Sequence, residues 1–281
     1  MTKAVLLAIV AEGLMTLMDA LIKSATPRYP TLQIAFLRFA FGMAGATALA
    51  LWARPGWPSR EATITNGLRA ALIVLVATTF FFALGHLPLA DAIALSFISP
   101  VLTALMGALF LGERLDWRIG LALAAGFAGM LLIVGGGIGS AQMTREALIG
   151  AAAVLISAVG YAINIIVLRH RATRDPLPQI VFFQNFGPAI LLAVPAYFVW
   201  TPVSTQDLGL FAIIGTLGVI AHTMLAYAFA RMEAARLAPV AYVTLAWGVL
   251  FGYAFFGALP TLPTLAGAAL IVLGTLATRP R

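Results

Sequence analysis

The sequence predicts an all-α integral membrane protein with ten transmembrane helices, arranged as two inverted five-helix repeats. Three observations carry this expectation. Hydrophobic residues make up 62% of the 281-residue chain and charged residues only 10%, whereas a soluble domain carries about 25% charged residues. Apolar runs of membrane-spanning length, about 20 residues each, follow one another along the whole chain. The chain also repeats itself at a nearly constant offset. At 146 positions Pro30 meets Pro176, Gln33 meets Gln179, Ile34 meets Ile180 and Phe36 meets Phe182. At 145 positions Ala83 meets Ala228, Ala90 meets Ala235, Leu105 meets Leu250, Gly107 meets Gly252 and Gly112 meets Gly257. Ala and Leu match cheaply in an apolar chain, but Pro30 and Gln33 do not.

The first apolar run, from Ala4 to Ala11, has the length of a signal-peptide core. It continues through Glu12 and Asp19 without a small-residue cleavage site, so it is expected to be a retained first span. The spans fall near 4–24, 31–52, 65–85, 90–111, 117–136, 147–168, 178–199, 207–230, 237–257 and 262–278. Helix breakers separate them: Pro27 and Pro30, Pro55 and Pro58, Pro88, Pro176, Pro202, Pro260 and Pro263. Five spans per unit is an odd number, so two tandem units must lie upside down relative to each other. The expected units are residues 1–140 and 141–281. No linker is long enough for a soluble domain.

Charge placement gives an independent count. With ten spans, one side of the membrane holds Lys3, Arg54, Arg60, Arg69, Arg114, Arg118, Arg169, Arg171, Arg174, Arg231, Arg236, Arg279 and Arg281. The other holds Lys23, Arg28 and Arg145, and Arg38 is left inside a span. Positive loops stay in the cytoplasm, so both termini are expected there. The net charge of +7 is thereby explained by topology rather than by nucleic acid. Trp52, Trp57 and Trp117 on the inner side, and Tyr29, Tyr197 and Trp200 on the outer, suit interfacial belts. The chain has no cysteine, which excludes disulfides and thiolate metal sites.

The run Ser99-Pro-Val-Leu-Thr-Ala-Leu-Met-Gly-Ala-Leu-Phe-Leu-Gly-Glu-Arg-Leu115 resembles the fourth-helix signature of EamA-type members of the drug/metabolite transporter superfamily. Gly120 and Gly126-Phe-Ala-Gly129 resemble the fifth helix, and Gly267-Ala-Ala-Leu-Ile-Val-Leu-Gly274 the last. The resemblance extends over the whole chain, and more narrowly to bacterial amino-acid exporters of the YddG type. It implies a secondary transporter working by alternating access. One departure stands out: Gly112-Glu113-Arg114 in the first half faces Gly257-Ala258-Leu259 in the second, and Leu245 replaces the proline that would match Pro100. Glu113 is therefore expected to anchor a helix end, without a transport role.

Charged side chains within spans cost roughly 2.5–3.5 kcal/mol each on insertion scales, so each needs a reason. Glu12 and Asp19 are seven residues apart on one face of the first span. Asp19 and Arg38 lie at depths that differ by only about 3 Å at 1.5 Å per residue. They are expected to pair, with Glu12 as the second choice of partner for Arg38, either as a structural link between helices or as an outer gate or a contact for the charged ends of a zwitterion. Glu12, deeper and without a basic partner at its depth, is either a hydrogen-bonded structural acid or a site for substrate ammonium or protons. His222, in the eighth span, is either an interior hydrogen-bonded residue or a cavity group; its repeat mate is Ala77.

Neutral candidates for a cavity lining are Thr78, Thr79 and Phe80 to Phe82, Ser96, Ser99 and Pro100, Tyr161 and Asn164, Gln184 and Asn185, and Tyr242, Thr244 and Trp247. The family resemblance puts helices 1, 3, 4, 6, 8 and 9 around the cavity. It thereby ranks Tyr161, His222, Tyr242 and Trp247 first. Small residues four apart, Gly42 with Ala46 and Ala125 with Gly129, suit close helix contacts.

The three histidines, His86, His170 and His222, form no HExxH pattern, and Gly135-Gly-Gly-Ile-Gly139 lacks the Lys-Ser of a phosphate loop. No enzyme activity, cofactor or metal is expected. The expected function is export of small metabolites, preferably aromatic or hydrophobic amino acids, with multidrug or other metabolite export as the alternative. An intramembrane enzyme that joins Glu12 and His222, or a pore, belongs to other classes. The expected partners are a small-molecule substrate and the lipid bilayer; a homodimer is left open.

Overall fold

The structure is a computed structural model that describes residues 2–87, 89–137, 145–257 and 262–277. Ala258 and Leu259, the counterparts of Glu113 and Arg114, lie outside the described residues, as do Pro88, Pro260, Gly139, Arg279 and Arg281. Among the described residues every regular element is a helix or helical turn, without a strand. In chain order the helices are α1 (Thr2–Ala25), α2 (Thr31–Ala53), α3 (Arg60–His86), α4 (Leu89–Ser96), α5 (Ile98–Leu111), α6 (Trp117–Gly137), α7 (Arg145–Ala172), α8 (Leu177–Phe198) and α9 (Thr205–Arg231). There follow α10 (Ala234–Leu237), a 3-10 turn (Ala238–Tyr242), α11 (Val243–Phe256) and α12 (Leu262–Ala277).

Among the described residues, seven helical stretches are long and apolar enough to cross a membrane: Lys3–Ala25, Thr31–Ala53, Arg60–His86, Arg145–Ala172, Leu177–Phe198, Thr205–Arg231 and Ala234–Phe256. Large apolar side chains point outward from many helices. Leu51, Leu109, Phe198 and Leu262 are 71%, 78%, 79% and 80% exposed. Such a surface is tolerated against lipid, not water.

Two expected spans are broken. Pro100 has no N–H for the carbonyl of Ser96, and the chain turns at Phe97 between α4 and α5. The second break comes at Pro239, within the 3-10 turn that separates α10 from α11. Serine caps set the starts of α3 and α9. Ser59 Oγ accepts from the Ala62 N–H at 3.0 Å and Ser204 Oγ from the Asp207 N–H at 3.1 Å. Each cap stabilises its helix by about 1 kcal/mol. The Ser59 cap starts α3 at Arg60, five residues before the expected span. At the other end, Gly112 and Gly257 close α5 and α11 in the left-handed region, both at φ 65°.

The main packing pairs are α1 with α9, α2 with α8, α3 with α7 and α6 with α12. Helix α2 also crosses α9, and α3 crosses α8. At the α2–α9 crossing, a Cβ on Gly215 would lie 2.6 Å from the Gly42 backbone nitrogen. Ala46, one turn on, is fully buried against Val181 and Val219. The small pair Gly42 and Ala46 thus does bring helices close. Two buried clusters, one around Ile22, Phe39, Phe81 and Phe211 and the other around Ala8, Leu168, Leu225 and Phe229, account for most of the core.

Candidate functional site

A cavity of about 1020 Å³, mouth included, opens among α1, α2, α3, α4, α5, α7, α8, α9 and α11. Most of its wall is apolar, with Met15, Met18, Phe39, Phe80, Phe81 and Phe97 prominent. Of the sequence candidates, Glu12, Asp19, Arg38, Ser99, Tyr161, Asn164 and His222 line it, joined by Ser96, Gln184 and Thr244.

Glu12 is held from across the cavity: Thr244 Oγ1 donates to its Oε2 at 3.0 Å. That leaves its second oxygen without a donor among the described residues. Asp19, two turns on, accepts no hydrogen bond among the described residues, and its carboxylate faces the cavity. The expected direct pair with Arg38 is not formed, since no nitrogen of Arg38 comes within 4.0 Å of an Asp19 oxygen. Matching depth put the two on one level but said nothing of the direction in which each side chain leaves its helix.

Arg38 instead turns toward α8 and α9. Its Nη1 donates to Asn185 Oδ1 at 3.1 Å, and the guanidinium lies 4.1 Å from the Phe39 ring centre. Gly218 makes room for it: a Cβ there would lie 2.7 Å from Nη2. His222 Nδ1 lies 2.7 Å from the Gly218 carbonyl and 3.4 Å from Arg38 Nη2. A carbonyl can only accept, so Nδ1 carries the hydrogen and donates to Gly218. The longer approach of Arg38 is then a contact of two donors, and Nε2 is the histidine atom left for the cavity.

The sequence reading missed Arg69. Counted as a loop charge, it is 2% exposed and sits inside α3. Its Nε donates to Asn164 Oδ1 at 2.8 Å and its Nη2 to Gln184 Oε1 at 2.6 Å, which ties α3 to α7 and α8. The signal was available in Ser59: once the helix starts there, Arg69 lies about 13 Å along it at 1.5 Å per residue.

Three of the candidates are used elsewhere. Thr78 Oγ1 donates to the carbonyl of Val74 in its own helix at 2.7 Å and does not line the cavity. Tyr242 is fully buried, tilted against Phe97 at 5.1 Å and packed on Gly126. Trp247 lies on Gly13 and donates from Nε1 to the Ile9 carbonyl at 3.2 Å. Both aromatics hold helices around the cavity without entering it. Tyr29 also leaves the expected outer belt: it is buried, and its hydroxyl donates to Asp207 Oδ2 at 2.7 Å.

The EamA-like transporter family matches the chain twice, over residues 2–135 and 148–279. The chain belongs to that family. Among similar proteins is a pseudopaline exporter of Pseudomonas aeruginosa, 30% identical over 97% of this chain and 94% of its own. An S-adenosylmethionine uptake transporter of Rickettsia bellii is 22% identical over 92% and 87%. A riboflavin transporter of Rhizobium johnstonii is 32% identical over 88% and 80%. A solved crystal structure, 23% identical, covers 98% of this chain and 97% of its own with a TM-score of 0.79. That likeness establishes the fold.

Within this EamA-like chain, the Gly112-Glu113 motif anchors helix ends. Glu113 accepts from the N–H groups of Ala234 and Ala235 at 2.9 and 2.8 Å, which caps the first turn of α10. A carboxylate is favoured there by the exposed N–H groups of a helix start. Glu113 also pairs with Arg169, whose Nη1 donates to the Phe229 carbonyl. One side chain thereby gathers the ends of α5, α7, α9 and α10, outside the cavity.

Proposed function

We propose that this EamA-like transporter exports aromatic or hydrophobic amino acids across a bacterial inner membrane by alternating access. The observation that carries the proposal is the composition of the cavity. Two acids from α1 and a guanidinium from α2 line a space that is otherwise mostly apolar and aromatic. Opposite charges suit the ammonium and carboxylate of a zwitterion, and the apolar wall suits its side chain.

We further propose ten spans, in two inverted repeats of residues 1–140 and 141–281, with both termini cytoplasmic. Helix bounds support the repeat: α3 and α9 share a length of 27 residues and a serine cap, and lie 145 positions apart. The glutamine mates support the inversion. Gln33, at the start of α2, bonds Thr201 in the loop after α8. Gln179, at the start of α8, bonds Pro55 and Gly56 in the loop after α2. Each does for the other half what is done for its own. The loop ion pairs support the orientation, since Arg28 with Asp207, and Arg171 with Glu61 and Asp175, each join residues assigned to one side.

The test is uptake by proteoliposomes of a panel of labelled amino acids, with and without a pH gradient. Saturable, stereoselective uptake of L-phenylalanine and L-leucine is expected. Flat uptake of every amino acid overturns the proposal. A second reading, transport of another metabolite, is favoured by the names of the relatives. S-adenosylmethionine and riboflavin belong in the same panel, and selective uptake of either decides for it.

A further inference from the structure

Among the described residues Arg69 neither lines the cavity nor has an ion-pair partner, yet it occupies a buried position in α3 that is costly for a charge. Its two bonds have a consequence for the groups that do line the cavity. Arginine has five N–H donors and no acceptor. The atoms of Asn164 and Gln184 that face it, at 2.8 and 2.6 Å, must therefore be the carboxamide oxygens. The two NH2 groups then point away from Arg69. Both residues line the cavity, and among the described residues neither NH2 group has a protein acceptor or is sealed from the cavity space. Without Arg69 either carboxamide could turn by half a rotation and offer its oxygen instead.

We propose that Arg69 is a positioning residue that fixes the Asn164 and Gln184 carboxamides with their N–H donors toward the cavity, which makes with Arg38 a subsite for a carboxylate. The subsite deepens the amino-acid function proposed above and rests on it. The donors come from α2, α7 and α8, and the acids Glu12 and Asp19 both come from α1. A zwitterion is thus held by its carboxylate on one set of helices and by its ammonium on another, with its side chain among Phe80, Phe81 and Phe97. Nη1 of Arg69 is buried without a partner, and so is Asn66 Oδ1 one turn before it. The guanidinium is therefore committed to the two carboxamides rather than to a local ion pair.

The experiment compares L-phenylalanine with L-phenylalaninamide, which keeps the ammonium and ring but replaces the carboxylate. KM for each is measured in proteoliposomes with the wild type, R69K, R69M, N164D and Q184E. The wild type is expected to favour the acid. N164D and Q184E keep an oxygen toward Arg69 and lose the cavity-facing donor. Each is expected to lower the preference for the acid about tenfold, the effect of one hydrogen bond to a charged group. R69M is expected to move the preference the same way, and R69K to restore part of it. N164D and Q184E are close in shape to the native residues, so they answer the question if R69M fails to fold. Equal losses for both probes in these variants overturn the subsite alone. A wild type that moves neither probe overturns the amino-acid function and the subsite with it.

Discussion

The carboxylate of Glu113, just beyond α5, accepts a hydrogen bond from Nε of Arg169 on α7 at 3.2 Å. The two side chains are 6% and 18% exposed, and the other Glu113 contacts are backbone N–H groups of α10. Removing one partner of a buried pair leaves the other charge and the helix start uncompensated. Glu113→Ala is therefore expected to destabilise the protein by roughly 3 kcal/mol. The thermal midpoint of the purified protein in detergent should fall by several degrees. Glu113→Gln, which keeps one acceptor oxygen, should fall less.

Gly218 and Arg38 permit a sharper test of the cavity. A methyl group at Gly218 would lie 2.7 Å from Nη2 and 3.0 Å from Cζ of Arg38. The guanidinium must move, and its bond to Asn185 must lengthen or break. Gly218→Ala is expected to lower the rate of amino-acid uptake about tenfold, with normal membrane yield. Uptake at the wild-type rate would remove Arg38 from the binding site.

Glu12 has one oxygen bonded to Thr244 and one left for the cavity. Glu12→Gln keeps the shape and the acceptor but cannot exchange a proton. Its uptake is expected to lose its dependence on pH while expression stays intact. The measurement is initial uptake rate across a series of pH values on each side of the vesicle. An unchanged profile would assign Glu12 to structure.

The left-handed glycines predict a matched pair of losses. Gly112 and Gly257 both stand at φ 65°, where a Cβ meets the neighbouring backbone. Gly112→Ala and Gly257→Ala should each lower stability by about 1 kcal/mol, read as a shift of the thermal midpoint. The open space around both glycines means that strain alone, not collision, sets the loss.

Orientation is open to direct labelling because the chain has no native cysteine. Thr173 and Gln206 are exposed on loops or helix starts assigned to opposite sides. In intact cells, Gln206→Cys should react with a membrane-impermeant maleimide and Thr173→Cys should not. The reverse pattern would invert the proposed topology.

Segments, breaks and partners were legible in the sequence to different degrees. Hydropathy located the long helices because a lipid-facing wall leaves no room for polar runs. The break at Phe97 was signalled by Pro100, within the Ser99–Leu115 run. The break at Pro239 lay inside an apolar run and gave no hydropathic trace. Cavity residues Glu12, Asp19 and Arg38 were visible as charges in the wrong solvent. Arg69 was hidden by its closeness to a loop: it stood four residues into the expected span, and the Ser59 cap sets it deeper. The Asp19–Arg38 pair failed because residue counting gives height along a helix and not rotation about it. Tyr242 and Trp247 failed because a bulky aromatic near a cavity has two uses, and only the glycines opposite them, Gly126 and Gly13, reveal which one applies.

The contact of Gly42 with Gly215 restricts how the protein can change shape. Where neighbouring helices meet through long side chains, those can switch rotamer and let one surface slip over another. Here main chain meets main chain, and nothing can give way by rotamer change. Sliding of α2 along α9 is therefore expensive, while turning about the contact costs little. The crossing is the natural fulcrum of the molecule, and a single methyl group placed on it would act as a brake.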